Sequence, residues 1–369
     1  MRICFIAQGN SILTQGLWCR FFMEKGHDVH LISDLRPEIE GVNFHPLKNW
    51  LPGRRTNLFF WSFQARKIIK KIKPEILHAH YVTSYGFVGA LSGFHPLVIS
   101  AWGDDIATFP EISFLHKAFV KFILRRADLV HTHDEMGKKR LLELGCDEEK
   151  ILVQFKGVDL EKFSPEKGSK TLRKKLDLKG KFTVINARHL DPNYSVDTFI
   201  KAAADVSKER KDVVFILVGK GPLENKFRRM VKELKLDEYF RFLGGISHSE
   251  MPTYLASMDL YVDTFSDIKK DGIIRKGGGG IGTTTAEAMA SGIPALLGDR
   301  KSVLNCQWFK GIVYKQLNPE DLADKILTIL DDDGLRKRIS KESLKAAKEN
   351  ADWRRNMVNI EKAYDRLLG

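Results

Sequence analysis

The stretch "FTVINAR" (Phe182–Arg188), followed by "SVDTFIKAAADVSK" (Ser195–Lys208) and "VVFILVG" (Val213–Gly219), decides the fold of this chain. The two outer segments are apolar runs of strand length, and the one between them repeats its apolar residues with helical spacing. Strands joined by a helix in this way pair in parallel, because the helix must cross a face of the sheet to bring the chain back. The runs show little polar alternation, so both faces of the sheet are expected to be covered. The alternation continues through "LENKFRRMVKEL" (Leu223–Leu234), "YFRFLG" (Tyr239–Gly244), "MPTYLASM" (Met251–Met258), "LYVDTF" (Leu260–Phe265) and "PALLG" (Pro294–Gly298).

The same series runs once before it. "RICFIA" (Arg2–Ala7) reads as a strand, then comes a glycine-bearing turn over Gly9–Gly16, a helix through Glu24 and "HDVHLIS" (His27–Ser33) as a second strand. "PEILHAH" (Pro74–His80), "PLVISAW" (Pro96–Trp102) and "ADLVHTH" (Ala127–His133) are further strands, and a polar linker over Ser164–Lys181 separates the two series. The chain is therefore expected to be α/β, with two doubly wound Rossmann-like domains in tandem at 1–165 and 166–345. Helices from Pro319 onward close the chain, the last of them, within 346–369, packing back on the N-terminal domain. Sheets of this kind bind ligands beyond the carboxyl ends of their strands, so a cleft between the two domains is the expected site.

With 369 residues, 43% hydrophobic and 29% charged, the chain is long enough for two globular domains. No apolar run reaches the length of a membrane span, and "MRICFIAQGN" (Met1–Asn10) lacks the long apolar region and cleavage site of a secretion signal, which makes the cytoplasm the expected location. Cys4, Cys19, Cys146 and Cys306 are scattered without metal or redox spacing and are expected to be reduced.

A formal charge of +13 asks for an acidic partner. From Lys48 to Lys73 there are eight basic residues and no acidic one. Leu58, Trp61, Ala65, Ile68, Ile69 and Ile72 form a normal core stripe on this segment, whereas Phe59, Phe60 and Phe63 lie among Arg66, Lys67, Lys70 and Lys71 on the other face. A second segment, "FLHKAFVKFILRRA" (Phe114–Ala127), has a similar make-up. Either these aromatics pack on a neighbouring element, or they and the lysines meet an anionic membrane surface, as an interfacial helix does. No helix-turn-helix, zinc-finger or RNA-binding signature accompanies the charge, so nucleic acid is not the expected partner.

The stretch "GGGGIGTTTAEAMASGIP" (Gly277–Pro294) joins a glycine loop to a helix that opens on Thr283, Thr284 and Thr285. Free N–H groups in the first helical turn, together with the macrodipole, favour a phosphate, and glycines let a ligand approach the backbone. Glu287, one turn in, could accept hydrogen bonds from sugar hydroxyls. No lysine precedes Thr283, so this is not a Walker A loop. The G-x-G-x-x-G match of Gly277, Gly279 and Gly282 does not follow the first strand of a βαβ unit, where that fingerprint has meaning.

Taken in order, these segments resemble glycosyltransferase family 4, retaining enzymes of the GT-B fold, over nearly the whole chain. "GIGTTTAEAMASGIP" (Gly280–Pro294) is similar to the family's donor-binding segment. "GHDVHLIS" (Gly26–Ser33), "HAHY" (His78–Tyr81), "AWGDDI" (Ala101–Ile106) and "GVDLEKFSP" (Gly157–Pro165) resemble acceptor-domain and linker motifs. "NARHLDPNYSVDTFIKA" (Asn186–Ala202), "VGKGP" (Val218–Pro222) and "FLGGIS" (Phe242–Ser247) resemble donor-domain loops. The resemblance implies transfer of a sugar from a nucleotide-diphosphate donor to a lipid-linked or cell-surface glycan precursor, peripheral work at the inner face of the cytoplasmic membrane, and no metal or other cofactor. A leaving diphosphate needs cations or oriented N–H groups where its charge develops. By resemblance Arg188 would bind it in a planar fork, with Gly282, Thr283 and Thr284 offering backbone N–H groups. Gly219 and Gly221 would let the chain pass near the nucleotide, the backbone around Ile246 would meet the base, and Glu287 would take the ribose hydroxyls. His80 is the catalytic candidate at the cleft, orienting the acceptor hydroxyl or helping remove its proton, with a buried structural histidine as the other reading. Gly16, Trp102 and Asp104 would line the acceptor side, Asp104 and Asp105 as binding groups.

The chain also departs from the family. Gly279 stands where a second glutamate is usual, Tyr194 where a lysine follows the diphosphate arginine, and Trp102 where a histidine precedes glycine. Two explanations stand. In one, the segment "DIKKDGIIRK" (Asp267–Lys276) is a lid in which Lys269, Lys270, Arg275 or Lys276 serves the phosphate and Asp271 the sugar. In the other, the protein is a non-catalytic partner in glycan assembly. A sugar-nucleotide 2-epimerase is a further reading on the same fold.

Overall fold

The computed structural model describes residues 1–9, 17–267 and 280–369. Gly16, Lys269, Lys270, Asp271, Arg275, Lys276 and Gly279 lie outside the described residues, and with them the lid and the turn expected at Gly16. The chain divides into two compact units.

Met1–Lys156 and Trp353–Gly369 form the first unit. Its strands are β1 (Arg2–Ile6), β2 (Asp28–Ser33), β3 (Asn43–Pro46), β4 (Ile76–His80), β5 (Leu97–Ser100), β6 (Leu129–Thr132) and β7 (Ile151–Val153). They pair in the order β3-β2-β1-β4-β5-β6-β7, all in parallel. Successive side chains of a strand face opposite ways, so Cys4 and Ile6 join a core that includes Trp61, Ile69, Val120 and Ile123, while Ile3 and Phe5 join another built from Trp18, Phe22, Met357 and Tyr364. The helix Trp353–Leu368 covers this second face because Met357, Ile360 and Tyr364 fall on one side of it. Tyr364 stacks on Phe22 with ring centroids 5.3 Å apart.

The helix Arg54–Ile72 turns Trp61, Ala65, Ile69 and Ile72 inward, with Leu58 and Ile68 half-buried beside them. Its entry is tied down by Asn57, whose side chain accepts from the N–H groups of Trp50 and Leu51 at 2.7 and 3.0 Å and donates to Gly53 O at 2.6 Å. Phe59 and Phe63 remain 55% and 52% exposed. Phe60 departs from the expected exposed face, being half-buried under the indole of Trp50 at 5.0 Å.

Residues 157–267 and 281–352 form the second unit. Its strands β8 (Phe182–Ala187), β9 (Val213–Val218), β10 (Phe240–Gly244), β11 (Leu260–Asp263), β12 (Ala295–Gly298) and β13 (Ile312–Tyr314) pair in parallel in the order β10-β9-β8-β11-β12-β13. All six residues of β9 are buried, as a sheet covered on both faces requires. The helix Val196–Glu209 packs Val196, Phe199, Ile200, Ala203 and Val206 into this core. In each sheet the strand order reverses once, between β1 and β4 in the first and between β8 and β11 in the second. Those switch points are where helices diverge to opposite faces and leave a crevice at the strand ends.

Candidate active site

In the first unit the β1/β4 switch point opens into a cavity of about 600 Å³. Ala7 and Gln8 follow β1, His80 ends β4, Trp102 follows β5, and Tyr81, Thr83, Ser84 and Tyr85 come from the turn after β4. Arg54, Leu58 and Trp61 of the helix Arg54–Ile72 and Phe119 of the helix Phe114–Arg125 complete much of the wall.

His80 is 5% exposed, and neither ring nitrogen has a hydrogen-bond partner among the described residues. It stacks between His78, 4.4 Å away, and Trp102, 5.6 Å away, with Trp18 edge-on at 5.0 Å. Burial lowers its pKa to about 3, helped by His131, so the ring is neutral. A neutral imidazole without a partner at a cavity wall can both donate to and accept from a hydroxyl. His78 is different. Its Nδ1 meets the hydroxyl of Tyr364 and its Nε2 that of Ser100 at 2.7 Å, and Ser100 continues to His131 at 2.8 Å.

Trp102 carries Lys156 Nζ over its ring at 5.6 Å. Asp105 is buried and accepts from the N–H groups of Val82, Trp102 and Gly103 at 2.8, 3.0 and 2.9 Å, which fixes the loop after β5. Asp104 is exposed, accepts from Thr108 Oγ1 at 3.1 Å, and is not among the residues that line the cavity. A further polar group was missed by sequence reasoning. Asp34 accepts from Tyr85 Oη at 2.5 Å and from Arg54 Nε at 2.9 Å, bringing β2, the turn after β4 and the helix Arg54–Ile72 together at one wall. Arg54 lay in plain view in a basic run, but nothing local marks Asp34 as its partner.

In the second unit Arg188 follows β8 and Asp263 ends β11, so the two meet across the switch point. Arg188 donates from Nε to Asp263 Oδ1 at 3.0 Å and from Nη2 to Oδ2, a two-pronged pair. Asp263 is fully buried. It also accepts from Phe265 N at 3.0 Å, faces Thr285 Oγ1 at 3.4 Å, and lies 3.5 Å from Arg300 Nη2. Burial raises the pKa of this carboxyl, but Arg188 and Arg300 outweigh it and hold it below the usual carboxylate range. The fork of Arg188 is thus aimed by Asp263, with donors left over from its five N–H groups.

Arg188 also lies against the start of the helix Thr283–Ala290. A Cβ built on Gly282 would fall 2.7 Å from Arg188 Nη2, so only glycine lets the guanidinium come this close to the helix start. The N–H groups of Thr283, Thr284 and Thr285 have no partner inside the helix, a general property of a first turn. Tyr194 places its ring 5.6 Å from the Arg188 guanidinium and 5.8 Å from Phe265, while Arg300 lies 4.8 Å over Phe265.

Glu287 is 5% exposed and accepts from His248 Nε2 at 2.9 Å, whose ring rests 5.4 Å from Phe163. Ile246 sits two residues before that histidine and is half-buried. Gly219 and Gly221 have a reason independent of any ligand. A Cβ at Gly219 would fall 1.9 Å from Arg188 O, and one at Gly221 2.3 Å from Leu190 O. Their lack of side chains lets the loop after β9 pack on the loop that carries Arg188.

The structure therefore gathers Arg188, Gly282 and the first turn at 283–285, seats Gly219 beneath them, and pairs Glu287 with His248. Asp263, Arg300 and His248 were missed. Asp263 had a usable signal, an acid closing the apolar run "LYVD" at the carboxyl end of a strand. Among the described residues no group of three histidine, cysteine or acidic side chains is placed to hold a metal ion.

Residues 2–134 match the family model described as glycosyl transferase 4-like, and residues 168–346 match that of glycosyl transferases group 1. An uncharacterized glycosyltransferase of Methanocaldococcus jannaschii is 24% identical over 258 residues, covering 69% of this chain and 62% of that protein. The match thus spans less than two thirds of that relative's length. Alpha-monoglucosyldiacylglycerol synthase of Streptococcus pneumoniae is 23% identical over 340 residues, 83% of this chain and 72% of that protein. Anabaena HepE, solved in complex with UDP, superposes with a TM-score of 0.80 at 19% identity over 99% of this chain and 100% of that one, and has also been solved with UDP-glucose. At that identity the likeness is one of fold.

Proposed function

The chain belongs to the group 1 glycosyltransferases of the GT-B fold, and from that premise we propose that it moves a sugar, with retention, from a nucleotide-diphosphate donor to a lipid-linked or cell-surface glycan precursor. The observation that carries this reading is the Arg188–Asp263 pair at the β8/β11 switch point, set against the start of the helix Thr283–Ala290. A diphosphate there meets the spare donors of an oriented guanidinium and the unbonded N–H groups of a first turn. The UDP and UDP-glucose complexes of Anabaena HepE, a protein of the same fold, support a nucleotide sugar as the donor class. Glu287, held by His248, offers its second carboxylate oxygen to ribose hydroxyls. In the first unit His80 orients the acceptor hydroxyl. Its depressed pKa makes it a weak base, so the acceptor proton passes to the leaving phosphate rather than to the ring. We place the reaction at the inner face of the cytoplasmic membrane, reached through the exposed Phe59 and Phe63 and their neighbouring lysines, without a metal.

Calorimetric titration with UDP-, GDP-, ADP- and CMP-sugars tests the donor reading. One sugar nucleotide should bind selectively, with at least tenfold weaker binding in Arg188→Lys, which keeps the charge but loses the fork, and in Glu287→Gln. Absence of binding by every donor would favour the non-catalytic partner instead. Conversion of a donor to its isomer without acceptor would identify an epimerase.

A further inference from the structure

The cavity of the first unit has a chemistry that a free sugar does not explain. Leu58, Trp61, Trp102, Phe109 and Phe119 make its walls mostly apolar and aromatic; a sugar can stack its C–H face on one such ring but would turn its hydroxyl rim toward the others. Its volume of about 600 Å³ is well beyond one hydroxyl group and falls within the range of about 300–1,000 Å³ usual for small-molecule sites. Polar groups make the smaller share of its lining, among them Arg54, Ser84, Tyr85 and His80, whose two nitrogens have no hydrogen-bond partner among the described residues, while Asp34 accepts from Tyr85 and Arg54. A cavity apolar over most of its surface, with a few hydrogen-bonding groups among the lining residues, fits an amphiphile.

A second observation comes from outside the cavity. The two helices that wall it also carry exposed apolar residues. Arg54–Ile72 presents Phe59 and Phe63, and Phe114–Arg125 presents Phe114 and Leu115, 82% and 74% exposed. Arg66, Lys67, Lys70 and Lys71 on the first helix, with Arg125 at the end of the second, are exposed alongside them. A ligand drawn from an anionic lipid surface would find its tail site on the inner faces of the same elements that touch that surface.

We infer that this cavity takes the hydrocarbon chain of a single-tailed amphiphilic acceptor, with the acceptor hydroxyl held at His80. The inference rests on the reading of the first unit as the acceptor side, and it deepens that reading by naming the acceptor class. The chain lies against Leu58, Trp61 and Phe119. Burial of each methylene contributes to affinity, so binding rises with chain length until the cavity is full.

The test uses the full-length protein and two soluble probes, methyl β-D-glucoside and n-octyl β-D-glucoside, the latter below its micelle concentration. Binding is followed by tryptophan fluorescence, since Trp61 and Trp102 line the cavity. The octyl probe should bind saturably and at least tenfold more tightly than the methyl probe. Ser84→Phe and Leu58→Trp, each filling the cavity from a different element, should abolish that preference, with thermal melts confirming that at least one variant folds. Equal binding of both probes would overturn the inference. So would a preference that survives filling, which would mean adsorption to the exposed phenylalanines. Sugar-nucleotide binding is measured on the same samples. A retained octyl preference with no donor binding would remove the transferase reading and leave the cavity's ligand class standing, whereas donor binding without the preference would do the reverse.

Discussion

Asp263 shows what a single residue does here. It receives both prongs of Arg188 while fully buried, so a charged side chain is held rigidly at the end of β11 where a flexible one would wander. Removing one member of a buried pair leaves the other uncompensated, typically at about 3–5 kcal/mol. We expect Asp263→Asn to lower the melting temperature by roughly 10 °C, since 1 kcal/mol corresponds to about 2–4 °C in a unit of this size, and to weaken donor binding although Arg188 is intact. An unchanged melt would mean that the pair contributes nothing net. The histidines of the first unit give a pH dependence with a definite sign. Burial is the leading cause that holds His78, His80, His131 and His133 below their ordinary value of 6.5, with His80 near 3 and His131 near 4. Folded, they stay neutral, while the unfolded chain takes up protons as pH falls through 6.5. Stability is therefore complete above that value and falls below it, by about 1.4 kcal/mol per pH unit for each such histidine, until the folded pKa is reached. Thermal melts at pH 7.5 and 5.0 should differ by many degrees, and equal melts would show that these rings protonate inside the fold.

At the scale of elements, the long buried strands were legible and the short edge strands were not. "RICFI" and "VVFILV" announce themselves because every residue after the leading Arg2 is apolar and each element is longer than a turn. β3, β7 and β13 are three or four residues long, lie at sheet edges and, Tyr314 apart, are at most partly buried, so neither length nor pattern separates them from loop. The site followed the same rule. Arg188, Gly282 and Glu287 sit inside contiguous motifs, whereas Asp263 and His248 act through partners 75 and 39 residues away. A linear reading has no access to such pairs. The helix Arg54–Ile72 falls between these cases. Its inner stripe was plain, and of its outer aromatics Phe59 and Phe63 are exposed, in edge contact at 4.8 Å, while Phe60 is sheltered. If this face meets a membrane, vesicles with anionic lipid should sediment the protein and neutral vesicles should not. Raising salt from about 0.1 to 0.5 M should release it, because screening shortens the reach of the lysines to a few ångströms. Phe59→Ser with Phe63→Ser should weaken sedimentation at low salt, and the same sedimentation from neutral vesicles would remove the electrostatic part of the argument. Among the described residues no helix is long and apolar enough to cross a membrane.

Over the whole molecule, the chain leaves the first unit after Lys156, builds the second, and returns at Trp353 to finish the first. One face of the first sheet therefore stays uncovered until the last helix is made. Trp353, Met357, Ile360 and Tyr364 are each no more than 2% exposed and cover Phe21, Phe22 and Ile3. At about 1.5–3 kcal/mol for a fully buried large side chain, four of them contribute on the order of 6–12 kcal/mol, comparable with the roughly 5–15 kcal/mol that holds a typical domain together. The helix also brings polar partners, Glu361 to His27 at 2.8 Å and Arg354 to Glu24 at 2.5 Å, but the exposed Arg354 pair contributes little beside the burial. A chain ended at Asp352 would leave the Phe21–Phe22 face and the ring of His78 open to water. We expect that truncation to lose the cooperative melt of the first unit, bind an apolar dye, and retain the helical signal of the second unit by circular dichroism. A truncated chain that melts at the temperature of the full one would show that the first sheet holds its own second face without help. The return of the chain would then be a tether and not a closing layer.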